Sequence, residues 1–131
     1  MKHILCAAIS IYAMASCHYS TLEDHAEKMA KEYTERYCPT PVINMQRTDS
    51  VTFDRTTHTF NYHYTLTNEA DNAEAVSKVK QKISATLLEE LKGNTSMKAF
   101  KDKDFSFRYI FRSQRTKSIL FEQTFTQESY K

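Results

Sequence analysis

Asn61, His63, Arg108, Arg112 and Glu122 are the polar side chains that strand alternation can bring to one surface of this sequence. Together they offer amide, imidazole, guanidinium and carboxylate groups, a set able to recognise a carboxylate, a phosphate or a sugar. A catalyst asks for more. A nucleophile, a base and a group that orients the base must converge, and no such trio can be drawn from the spacing here. The chain is therefore expected not to be an enzyme. An antiparallel sheet with one solvated face gathers the same five residues without any ligand, because alternation alone puts polar groups there.

Five histidines raise the question of a metal. His58 and His63 stand five apart on one expected strand and so point to opposite faces, and neither C-x-x-C nor H-x-x-x-H occurs. Neither a metal nor a cofactor is expected. Gly93 is the sole glycine, which excludes phosphate-cradling loops of the P-loop and dinucleotide types and the nucleophile elbow of hydrolases. Nucleic acid is also excluded as a partner. The formal charge is only +2, and Phe105-Ser-Phe-Arg-Tyr-Ile-Phe lacks the glycines of the base-stacking strand it faintly matches. Asn94-Thr95-Ser96 fits a glycosylation acceptor, which has meaning only in a eukaryotic secretory pathway.

The N-terminus carries an address. Lys2 and His3 precede an apolar run from Ile4 to Met14, followed by the small residues Ala15 and Ser16, the three-part layout of a secretory signal peptide over residues 1–16. The run is too short for a transmembrane helix, which needs about 20 apolar residues. Met14-Ala15-Ser16-Cys17 resembles the lipobox of bacterial lipoproteins, in which two small residues precede the cysteine that becomes the lipidated N-terminus. Met14 stands where leucine is usual. The resemblance implies lipidation of Cys17 and a membrane held through that lipid. His18, in place of the aspartate that retains enterobacterial lipoproteins in the inner membrane, implies the outer membrane on its periplasmic side. Ala13-Met14-Ala15 offers a rival cut after Ala15 that would release a soluble secreted inhibitor or small enzyme. Lipidation leaves Cys38 alone, whereas the rival leaves Cys17 and Cys38 free to pair across an expected helix of roughly 25 Å.

Residues 17–131 form one domain, since 115 residues suffice for one core. Ser20-Thr21-Leu22-Glu23 has the form of a capping box. Leu22, Ala26, Met29, Tyr33 and Tyr37 then recur at helical spacing, with Asp24–Lys28, Glu27–Lys31 and Glu32–Arg36 as i,i+4 pairs, until Pro39 and Pro41 end the helix. Val42 to Thr48 reads as an edge strand that extends over Ser50 to Phe53 past an irregularity at Asp49. His58 to Thr67 is the clearest strand, with Phe60, Tyr62, Tyr64 and Leu66 on one face. A second helix runs from Ala73 to Gly93, a natural residue to follow a helix end. A short turn of helix over Ser96 to Lys101 precedes strands at Phe105 to Arg112 and Ser118 to Thr126, the last placing Ile119, Phe121 and Phe125 together.

The expected fold is α+β in the order α-β-β-α-β-β: a four-stranded, mainly antiparallel sheet with both helices on its aromatic face and a polar, open second face. With the lipobox and its size, the chain resembles small exported bacterial lipoproteins that carry an α+β domain, pilotins of secretion systems among them. That resemblance carries over no functional residue. It implies a binding or assembly role with an envelope protein partner.

Overall fold

The computed structural model describes residues 20–131. The signal peptide, its cleavage and Cys17 lie outside the described residues. Among the described residues no helix is long and apolar enough to cross a membrane.

Helix α1 spans Leu22–Tyr37 and starts one residue later than the sequence pattern implies. Thr21 caps it, accepting from the Asp24 N–H at 3.1 Å while the Asp24 carboxylate accepts from the Thr21 N–H at 3.1 Å. Asp24 and Glu27 do not pair along the helix. Both bind Arg55 from the polar turn after Asp54, at 2.8 and 2.9 Å, which leaves Lys28 to meet Glu32 and Lys31 to meet Glu35.

Strand β1 is Gln46–Asp54 and β2 is Thr59–Leu66. The expected start of β1 at Val42 fails because Asn44 and Met45 both take left-handed backbone angles, with φ of 54° and 61°. The irregularity at Asp49 is present as a shift of register between Thr48 and Ser50. Helix α2, Ala73–Gly93, is capped by the Asn72 side chain, which accepts from the Ala75 N–H. Gly93 is the last residue inside the helix and its φ is not positive. The chain needs no left-handed residue there. Asn94 instead caps the following 3-10 turn through Ser96, and the Lys101 ammonium donates to the Leu91 and Lys92 carbonyls at the helix end. Helix α3 is Lys98–Asp102, β3 is Ser106–Ser113, β4 is Ile119–Phe125 and α4 is Gln127–Tyr130.

The sheet order is β1-β2-β3-β4. Both outer pairs are antiparallel and the central β2–β3 pair is parallel. A parallel neighbour cannot be reached by a tight turn, so α2 and α3 form the crossover. α1 lies on β1, and α2 on β4. Phe60, Phe100, Phe105 and Phe107 are buried to within 2% of complete and pack ring to ring, with Phe60 against Phe107 at 5.6 Å and against Phe100 at 5.0 Å. Burying each such ring stabilises by about 1.5–3 kcal/mol.

A second register shift, between Phe111 and Arg112, changes the start of β4. Ile119 pairs with Arg112 and is exposed, while Leu120 packs against the core. On the second face, Ile110 sits between His63 and Glu122 in register and is fully buried, so that face is not polar throughout.

Candidate functional site

The five polar residues expected on one face do share it, but they separate into pairs. β2 supplies Asn61 and His63, β3 supplies Arg108 and Arg112, and β4 supplies Glu122. Arg108 forms an ion pair with Glu122. Arg112 donates from Nη1 to His63 Nδ1 at 3.2 Å, and His63 Nε2 lies 3.4 Å from Thr52 Oγ1. Asn61 stands between Thr52 and Arg108 in register and joins neither pair through its side chain among the described residues. Burial lowers the His63 pKa, and the guanidinium groups of Arg112 and Arg108 push it the same way. The ring is therefore neutral near pH 7. Sequence reading missed Asp49, which accepts from Arg47 Nε at 2.8 Å and from Thr65 Oγ1 at 2.5 Å on the same face. Its place in the strand irregularity was the available signal.

The aromatic face holds a second feature, formed by the gap between α1 and α2. α1 rests over β1 and α2 over β4, so the rings of the middle strands are roofed incompletely. One cavity of about 380 Å³ is walled by Met29 and Tyr33 of α1 and by Met97, and floored by Val51, Phe60, Tyr62 and Tyr64. Another of about 430 Å³ lies between Gln46, the Val79, Ile83 and Leu87 side of α2, and Phe111. Tyr64 lines the first and Phe111 the second, and their rings stack at 4.7 Å, so the two cavities of this cleft stand on either side of one ring pair.

The cleft is apolar and uncharged at its base. Tyr62 stacks on Tyr109 at 4.9 Å. Burial, then the proximity of the other phenols, drives the Tyr62 hydroxyl far above its ordinary pKa, and burial does the same to Tyr64 and Tyr109. These phenols stay protonated and can donate. Tyr33 and Val79, which line the two cavities, are large and exposed. Clefts of about 300–1,000 Å³ with apolar walls and a few donors are the usual form of a binding site. Among the described residues no cluster of His, Cys, Asp and Glu could hold a metal ion.

Residues 21–121 match the family described as Domain of unknown function (DUF8479). No curated protein matches the sequence. Three solved structures share the fold. A protein of Pseudomonas aeruginosa described as secreted aligns with a TM-score of 0.73 at 17% identity, covering 84% of this chain and 93% of that one. A pilotin of the Vibrio vulnificus type 2 secretion system aligns at 0.64 and 14% identity, over 84% and 92% of the two chains. The type II secretion system pilotin of Vibrio cholerae aligns at 0.61 and 20% identity, over 89% and 98%.

Proposed function

The chain belongs to the DUF8479 family, a domain of unknown function, and from that premise we propose that it is a lipid-anchored binding module of the bacterial envelope. In this reading Cys17 carries the lipid at the periplasmic side of the outer membrane, and the cleft between α1 and α2 holds a segment of an envelope protein during its assembly. The cleft is the observation that carries the reading. Contiguous exposed apolar patches are normally small on a monomer, and here Tyr33 and Val79 border apolar gaps rather than standing alone. The shared fold with two pilotins supports an assembly role. The segment that fits would present large apolar side chains to the tyrosine floor and polar ones to Glu32, Arg36 and Lys82, which stand among the outer residues of the two helices.

A photo-crosslinking residue placed at Tyr33 in cells of the native host should trap one envelope protein, and the same residue at Asn61 should not. Equal trapping at both positions, or none at Tyr33, would sink the reading. The likeness to a secreted Pseudomonas protein favours a second reading, a soluble exported binder cut after Ala15. Intact-mass analysis separates the two: acyl mass on Cys17 supports the anchor, and an unmodified chain that begins at Ser16 supports release.

A further inference from the structure

The first turn of α1 and a group of lysines share one end of the molecule. α1 starts at Leu22, and its first turn sets the His25 ring 5.7 Å from Phe100 of α3. α2 ends on the same side, because the Lys101 ammonium of α3 donates to the Leu91 and Lys92 carbonyls at 2.6 and 3.1 Å. α4 closes this end: the Tyr130 hydroxyl donates to the Phe105 carbonyl at 2.6 Å, and the Lys131 ammonium pairs with Asp104. The turn between β3 and β4, with Arg115 and Lys117, lies at the other end, since β3 runs away from Phe105. The near end is unevenly charged. Lys92, Lys98, Lys101 and Lys131 line a cavity of about 290 Å³ together with Asp102. Lys98 pairs with Asp102 at 2.8 Å and holds its carboxyl below the ordinary pKa, and Lys131 and Lys101 act on it in the same direction. Lys92, Lys101 and Lys103 are in no ion pair among the described residues, and Glu128 is the one side-chain carboxylate of α3 and α4 in that state. Across the same end the sign reverses, where Glu23, Asp24, Glu27 and Asp54 outnumber Arg55 and His58.

Cys17 stands three peptide steps before Ser20, at most about 11 Å of chain. A lipid on so short a tether brings this end of the domain to the headgroup layer and keeps the turn between β3 and β4 away from it. We propose that the domain lies on the membrane through its α3 and α4 side, with the lysine cavity against anionic lipid headgroups. The proposal rests on the anchored reading and adds a tilt to it. The tether chooses the end, and the charge difference across that end turns the lysines towards an anionic surface and Glu23, Asp24 and Glu27 away from it. Ammonium groups suit such a contact, because they are hydrated point charges that meet headgroup phosphates without a fixed geometry. Asn94 lines the lysine cavity and the first cavity of the cleft alike, so the cleft comes near the membrane at that residue.

The test separates the lysines from the lipid. The mature chain with Cys17→Ser carries no acyl group, and it should sediment with phosphatidylglycerol vesicles and not with phosphatidylcholine vesicles. Lys92→Gln combined with Lys98→Gln should weaken that binding about 25-fold, from about fivefold for each lysine at the surface. Lys80→Gln combined with Lys117→Gln removes the same charge elsewhere and should leave binding nearly unchanged. All four side chains are exposed, so both double variants keep the fold. On the acylated chain in phosphatidylglycerol vesicles, a spin label on the headgroups should broaden the amide signals from Lys98 to Asp102 and spare Arg115. Equal binding to the two lipids, equal loss in the two double variants, or broadening at Arg115 in place of α3 overturns the proposal. An unmodified native N-terminus, by contrast, sinks the anchored reading whatever the vesicles show.

Discussion

Phe60 and Arg108 stand one pair apart on neighbouring strands and point to opposite sides, and they illustrate how unequally residues hold this fold. Phe60 has no exposed surface and touches Phe53, Phe100 and Phe107 through its ring. Phe60→Ala should cost about 3–5 kcal/mol, from lost transfer energy and the cavity left behind, enough to unfold a domain of ordinary stability. Arg108→Ala removes an ion pair whose members are each more than a third exposed, and should change stability by no more than about 1 kcal/mol. Urea unfolding of the two variants checks both. Equal losses would mean that the second face is buried in solution and the open-face account is wrong. Alternation made the aromatic side legible at the residue scale. It did not make Ile110 legible as a buried residue among polar neighbours, because the long side chains that border it come from two other strands.

At the scale of elements, the two edges of the sheet are treated differently. The outer side of β1 is closed by α1 and its following loop. The Thr34 hydroxyl accepts from the Val51 N–H and donates to the Val51 carbonyl, at 2.8 Å each, and Thr40 also bonds Thr48 twice. At Thr40 the hydroxyl only accepts, and it is the backbone N–H that donates to the Thr48 carbonyl. Those bonds stand in for a missing neighbour strand and blunt an edge that could otherwise recruit one. Thr34→Val keeps the side-chain shape and removes the hydroxyl, leaving two backbone groups of a buried valine unpaired. It should cost about 1–3 kcal/mol, and thermal unfolding should show it. A variant that melts with the parent would mean that water reaches Val51 freely. Element type was readable from periodicity throughout, whereas element ends were not. The start of β1 depends on left-handed angles at Asn44 and Met45, and the end of α2 on Lys101, ten residues downstream of Leu91.

For the whole molecule, the tyrosines couple stability to base. Burial pushes the Tyr130 hydroxyl up to about 12, helped by Asp104 and Asp102, while it donates to the Phe105 carbonyl at 2.6 Å. Tyr62, Tyr64 and Tyr109 move in the same direction. Because the folded values exceed the unfolded value of 10.0, the unfolded chain loses protons first. Their contribution is complete below pH 10 and is lost as pH rises towards 12. Tm should stay level up to about pH 10 and then fall, and the fall should be shallower in Tyr130→Phe; a level Tm to pH 12 would refute the burial of these phenols. The α+β order, the aromatic face and the membership of five polar residues in the other face were legible in the sequence, because each depends on local spacing and chain alternation. Long-range packing set the parallel pairing of β2 and β3, the separation of α1 and α2 over the tyrosines, and the match of Arg108 with Glu122 while Arg112 is left to His63. Those outcomes depend on which strands become neighbours and in what register, and that is set by the packing of residues far apart in the chain.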